Sequence, residues 1–119
     1  KKKSYNLYKD YIKKKITINP KEWIPRLIDS GIGELMITSI DNDGCLNGLD
    51  LNFIKYLKIK DNIPILIGGG VKDYKDFFNA FKKYNVSAVV SSSIYIFTEH
   101  TPHTIKKKLL KDKISIRVV

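Results

Sequence analysis

The amino-acid sequence predicts an α/β fold built on a parallel sheet, and three observations carry that prediction. Short apolar runs at Gly33–Ile40, Ile63–Ile67 and Ser87–Val90 alternate with stretches whose apolar residues recur at helical spacing. The runs begin roughly 25 to 30 residues apart, the length of one strand–helix unit. Each run ends in small or polar residues: an Asp/Gly-rich turn, then Gly68-Gly69-Gly70, then Ser91-Ser92-Ser93. Units of this kind pair in parallel, and ligands of parallel α/β folds gather at the carboxyl ends of the strands.

The elements follow in order. Tyr5, Leu7, Tyr8, Tyr11 and Ile12, spaced around Lys9-Asp10, predict a β-hairpin or extended excursion over Tyr5–Ile18. Asn19-Pro20 then announces a helix, as an N-cap followed by proline at the first helical position, and Gly31 closes it. Pro25 has no N–H to donate and is expected to kink or shorten that helix. After the first strand, Leu51–Leu57 carries apolar residues at i, i+3 and i+4, as does Tyr74–Phe81 after the second. Thr101-Pro102 repeats the capping signal and opens a last helix toward Leu110. The strands are nearly continuous in apolar residues, so burial on both faces is expected.

With 119 residues, 43% of them hydrophobic, the chain holds enough material for one small globular domain. Its longest apolar run, Ile63–Val71, is broken by Pro64 and three glycines and falls short of the ~20 residues a membrane span needs. A membrane partner is therefore not expected. The chain opens on Lys1-Lys2-Lys3 with no initiating methionine, as expected of a trimmed chain or a piece of a longer protein. A single cysteine, Cys45, leaves no internal disulfide to form and fits a reducing cytoplasm.

The formal charge of +10 comes from 22 basic against 12 acidic residues, and only Arg26 and Arg117 among the basic ones are arginine. Specific phosphate and base recognition leans on arginine. The charge is thus read as solvated lysines and compositional bias, set beside an electrostatic role toward a polyanion or a phosphorylated metabolite. Nucleic acid is not an expected partner.

Three segments stand where a parallel fold places chemistry. Asp41 and Asp43, two residues apart in Thr38-Ser39-Ile40-Asp41-Asn42-Asp43-Gly44, can serve as general acid or base or bind a divalent ion. The same residues also suit a plain Asx-type turn in which Gly44 takes positive φ. Gly68-Gly69-Gly70 lets an anion approach the backbone and the following helix, or simply makes a tight turn. Ser91-Ser92-Ser93 adds hydroxyls and N–H donors. A glycine-rich turn after one strand and a small polar turn after the next is the arrangement of the phosphate site of a (β/α)8 barrel.

The stretch from Gly31 to Gly44, followed by Gly48-Leu49-Asp50 and then Ile63–Gly70, resembles the carboxy-terminal half of the cyclase subunit of imidazole glycerol phosphate synthase. The likeness runs from about Lys13 to Arg117 and includes the ending from Phe97-Thr98-Glu99 through Ile114–Arg117. It implies the carboxy-terminal half of a (β/α)8 TIM barrel: about three parallel strands with flanking helices, preceded by the hairpin-like excursion, forming one partial-barrel domain over 1–119. It implies an enzyme of histidine biosynthesis that takes ammonia from a glutaminase partner, with no cofactor and no metal. The substrate is a phosphorylated ribotide, and the products are imidazole glycerol phosphate and aminoimidazole carboxamide ribotide.

Carried across by position, the family's acid/base carboxylate falls on Asp43, with Asp41 and Thr38 in support. Ring closure and carbon–nitrogen cleavage both need protons delivered and removed at fixed points, which a carboxylate can do. Gly69, Gly70, Ser92 and Ser93 match donors aimed at one substrate phosphate, and Lys13 and Lys14 match a loop that binds the other. Glu34, at the amino end of its strand, matches a charged residue at the ammonia entrance, or is an ordinary exposed charge.

The sequence departs from the family's pattern at four places. Asn42 stands where Arg is usual, Cys45 where Thr is common, Gly68 where the family has Ser, and Ile12–Thr17 keeps lysines but lacks both glycines of the corresponding loop. These departures keep open a cyclase-like protein that works with a glutaminase in sugar amidation for surface polysaccharides. A noncatalytic phosphate-binding half-barrel is the third reading. The family's other catalytic aspartate lies upstream of Lys1, and a whole barrel needs about 200 residues. The isolated chain is accordingly expected to be inactive, with open sheet edges that invite self-association.

Overall fold

The computed structural model describes residues 4–9, 14–16, 18–59 and 63–117. Its centre is a parallel three-stranded sheet of β3 (Leu35–Thr38), β4 (Ile65–Gly68) and β5 (Ala88–Val90), in that spatial order. Leu35 pairs with Ile65 and Thr38 with Gly68, while Leu66 pairs with Ala88 and Gly68 with Val90. Ahead of the sheet, β1 (Leu7–Lys9) and β2 (Lys14–Ile16) pair antiparallel, so the amino-terminal excursion is a β-pair. The expected three parallel strands, flanking helices and leading hairpin are all present.

Helix α1 (Pro20–Asp29) begins at Asn19, whose side-chain oxygen accepts the Lys21 N–H at 3.0 Å. It ends at Ser30, and Gly31 follows with φ +89° while its N–H reaches the Ile28 carbonyl at 2.9 Å. The helix is not cut short at Pro25. That residue forfeits one bond, toward Lys21, and both residues lie on an exposed side of the helix, where an unpaired carbonyl costs little.

The α2 helix (Leu51–Leu57) matches its predicted bounds. Helix α3 (Tyr74–Tyr84) opens on a capping box between Asp73 and Asp76 and runs three residues beyond the expected Phe81. Lys82 and Lys83 favour helix on an exposed face, and Asn85 ends it in the left-handed conformation. A five-residue helix, α4 (Ser93–Phe97), follows β5 where the sequence predicts none, because one turn of residues carries no readable period. The last helix, α5 (Pro102–Lys111), is capped by Thr101 and Thr104 as the sequence signals.

The helices cover one face of the sheet. Leu35 and Ile37 pack against Ile24 of α1 and Phe53 and Leu57 of α2, while Ile65 and Ile67 pack with Ala80 of α3 and with Val86. A third cluster joins Val71, Phe77, Ile94, Ile105, Leu109 and Ile114. Side chains alternate along a strand, so Met36, Thr38, Leu66, Gly68, Ala88 and Val90 share the opposite face. That face is open: Met36 is 55% exposed and Val90 39%. Burial on both faces was expected, and among the described residues helices cover one face only. Among the described residues, no helix is long and apolar enough to cross a membrane.

Candidate functional site

Thr38, Gly68 and Val90 stand in one row across the sheet, so the residues after them leave the same edge. Adjacent strands lie ~4.8 Å apart, which puts the three exits within about 10 Å. The Asp loop, the glycine turn and the serine segment therefore meet at the carboxyl edge. Glu34 precedes β3 and is exposed at the opposite, amino edge, where the Leu35 N–H bonds the Pro64 carbonyl at 2.9 Å.

The loop after β3 is held by backbone bonds. The Ser39 carbonyl accepts the N–H of Asn42 at 3.3 Å and of Asp43 at 2.9 Å, and the Asn42 carbonyl accepts Cys45 N–H at 3.0 Å. Gly44 takes φ +77°, as the turn reading requires. The Cys45 sulfur lies 3.7 and 3.6 Å from the backbone carbonyls of Asp41 and Asp43. Both aspartate side chains remain exposed, as does Thr38. A turn and a pair of solvent-facing carboxylates thus coexist in one loop.

The glycine turn is packed. Gly69 and Gly70 are buried with φ of +87° and +92°. A side-chain carbon on Gly70 would lie 2.6 Å from Cβ of Asn42 and 2.7 Å from the Gly48 carbonyl. The Ser39 N–H bonds the Gly68 carbonyl at 3.1 Å, and the Gly48 N–H bonds that of Gly70 at 2.6 Å. The bare glycines let the Asp loop approach the turn closely, a purpose the sequence spacing did not reveal.

After β5, Ser92 stands at the N-cap of α4, and its carbonyl accepts the Tyr95 N–H at 2.9 Å. Its side chain makes no capping bond and is exposed, and Ser93 is half-buried. Lys13 lies outside the described residues, and the Lys14 backbone pairs with Lys9 in the hairpin. That hairpin is tied to the rest through Tyr5, whose ring centroid is 4.7 Å from Phe53 and whose hydroxyl donates to Asp50 at 3.2 Å. Among the described residues, no three His, Cys, Asp or Glu side chains converge in a metal-binding group.

Sequence reasoning missed the part of Asn42. Its side-chain amide donates to the Gly48 carbonyl at 3.0 Å and so closes the loop that carries Asp43. Asparagine in a turn is common, and nothing in the spacing announces the residue it meets.

The sequence profile described as "Histidine biosynthesis protein" matches residues 2–101. The chain belongs to this family. Among curated members, it is 31% identical over 118 residues to the imidazole glycerol phosphate synthase subunit HisF of Leuconostoc mesenteroides subsp. mesenteroides, covering 97% of this chain and 46% of the relative. Against HisF of Dictyoglomus thermophilum the identity is 34% over 117 residues, covering 98% and 46%. Against HisF of Methanococcus maripaludis it is 35% over 97 residues, covering 82% and 36%. The chain spans about half the length, or less, of these relatives. The resemblance drawn from its motifs is thereby confirmed at the level of the family.

Proposed function

We propose that this chain provides the carboxy-terminal half of a cyclase barrel that forms imidazole glycerol phosphate with ammonia from a glutaminase. The observation that carries this reading is the meeting of the Asp loop, glycine turn and serine segment at one sheet edge in a chain 31% identical to a HisF subunit. Asp43 is the acid/base group, exposed at the loop tip where a bound ribotide can be reached, with Asp41 and Thr38 in support. The N–H groups of Gly69 and Gly70 and the hydroxyls of Ser92 and Ser93 hold one phosphate. Lys13 and Lys14 hold the other as point charges. Glu34, at the far edge, stands by the ammonia entrance. The open face of Met36 and Val90 is the interior of the barrel, and closing it requires the other half or, in its absence, self-association. Such an enzyme works in the cytoplasm, where Cys45 stays reduced.

The test is ammonia-dependent turnover of the ribotide by the 119-residue chain, alone and joined to the amino-terminal half of a HisF subunit. Alone, the chain should show no turnover; joined, it should show turnover that Asp43→Asn lowers by about 100-fold or more. Turnover by the chain alone would refute the half-barrel reading, and an unimpaired Asp43→Asn would remove Asp43 from its role.

A further inference from the structure

The Asp loop and the glycine turn are joined at Asn42. This residue is half-buried, and its amide donates to the Gly48 carbonyl six positions later, at 3.0 Å. Gly48 in turn donates its own N–H to the Gly70 carbonyl at 2.6 Å. Asn42 also presses on the turn itself. A side-chain carbon on Gly70 would lie 2.6 Å from the Asn42 Cβ and 2.9 Å from its carbonyl oxygen. Asp43 follows directly and is pinned by its N–H to the Ser39 carbonyl at 2.9 Å.

We infer that Asn42 is a positioning residue, whose amide couples the loop bearing Asp43 to the turn of Gly69 and Gly70 so that the two move as one body. The inference rests on the roles proposed above for Asp43 and for the glycine turn. The side chain suits the task for a simple reason. Its single methylene keeps the amide close to Gly48 while Cβ stays against Gly70, and only a donor satisfies the Gly48 carbonyl. A longer side chain would carry its donors past that carbonyl. Aspartate has the same shape but, when ionised, presents acceptors only.

The experiment uses the 119-residue chain, its Asn42→Ala and Asn42→Asp variants, and inorganic phosphate as the probe, read by amide resonances. In the parent chain, phosphate should shift Gly69, Gly70 and Asp43 with one midpoint. In both variants, the Gly48 and Asp43 amides should exchange with solvent about tenfold faster or more, while the amides of α3 keep their protection. The Gly69 and Gly70 shifts should persist, but the Asp43 response should vanish, a loss that a merely structural role would not produce. Unchanged Gly48 exchange, or an Asp43 response that survives in both variants, overturns the inference. If phosphate leaves Gly69 and Gly70 unmoved in the parent chain, the phosphate reading falls, while faster Gly48 and Asp43 exchange in the variants still upholds the coupling of loop to turn.

Discussion

Gly69 packs directly against the backbone of Ser39: a side-chain carbon at Gly69 would lie 2.5 Å from the Ser39 carbonyl oxygen and 3.0 Å from its nitrogen. No rotamer change relieves such a clash, because both atoms are main chain. Gly69 also holds φ +87°, which costs a residue with a side chain about 1–3 kcal/mol. Gly69→Ala should therefore destabilise the chain by at least that much. Gly33 has no atom within 4 Å of the corresponding position and no positive φ, so Gly33→Ala should change stability by no more than about 0.5 kcal/mol. Urea unfolding compares them, and equal midpoints would show that the Asp loop does not rest on the glycine turn in solution.

Two neighbouring leucines of α5 should behave differently. Leu109 is fully buried in the cluster with Phe77 and Ile105, whereas Leu110 is 45% exposed. The chain after the helix folds back over Leu109, whose carbonyl accepts the Ile114 N–H at 2.9 Å. Leu109→Ala removes packed methyl groups and should cost about 2–5 kcal/mol. Leu110→Ala should stay within about 0.5 kcal/mol. Thermal or urea unfolding decides, and a similar loss at both positions would mean that α5 is rotated from the orientation described.

The parallel sheet was legible because each strand is a short apolar run closed by a distinct punctuation, Asp/Gly, triple Gly or triple Ser. That pattern also places Asp43, Gly69 and Ser92 at one edge. Helices were legible where a cap and a period agreed, as at Asn19-Pro20 and Thr101-Pro102. Helix α4 escaped because five residues hold barely more than one turn. Pro25 does not shorten its helix, because the cost of its missing bond depends on which side of the helix it occupies, a tertiary fact. The bond from Asn42 to Gly48 and the contact of Gly69 with Ser39 are loop-to-loop relations, and no local propensity encodes them. Apolar strands announce burial on both faces without saying what lies over the second one.

That open face yields a prediction of its own. Met36 and Ile37 are neighbours in β3, but Met36 is 55% exposed on the uncovered face while Ile37 points into the cluster of Ile24, Phe53 and Leu57. In dilute solution, where the chain is a single copy, Met36→Lys should change stability by about 0.5 kcal/mol at most, since an exposed lysine keeps its charge in water. Ile37→Lys should cost about 2 kcal/mol or more, because it sets an unpaired charge against apolar side chains in a half-buried position. Circular dichroism with urea unfolding, run across protein concentrations, reads both. A large loss for Met36→Lys would show that this face is covered in solution, and a loss growing with protein concentration would assign the cover to a second copy.

The hydroxyl of Tyr74, at the start of α3, donates to the carboxylate of Asp112 just past α5, and Lys108 Nζ lies 5.8 Å from the tyrosine ring centroid. Burial, then the hydrogen bond to Asp112 and the charge of that carboxylate, push the Tyr74 pKa up to about 12 from the usual 10.0. The folded state thus holds this proton more tightly than the unfolded chain. Its contribution to stability is complete below pH 10, where both states keep the proton, and is lost as pH rises from about 10 through 12. Unfolding free energy should therefore fall across that window, and ultraviolet titration of the seven tyrosines should show a late component near pH 12. Tyr95 is also raised, by burial, so assignment rests on variants. Asp112→Asn removes both the charge and the strong acceptor and should bring the Tyr74 transition back toward 10. Tyr74→Phe should abolish that component and flatten the alkaline loss of stability. An alkaline loss that persists unchanged in Tyr74→Phe would mean that the hydroxyl's link to Asp112 does not hold α3 to the end of α5.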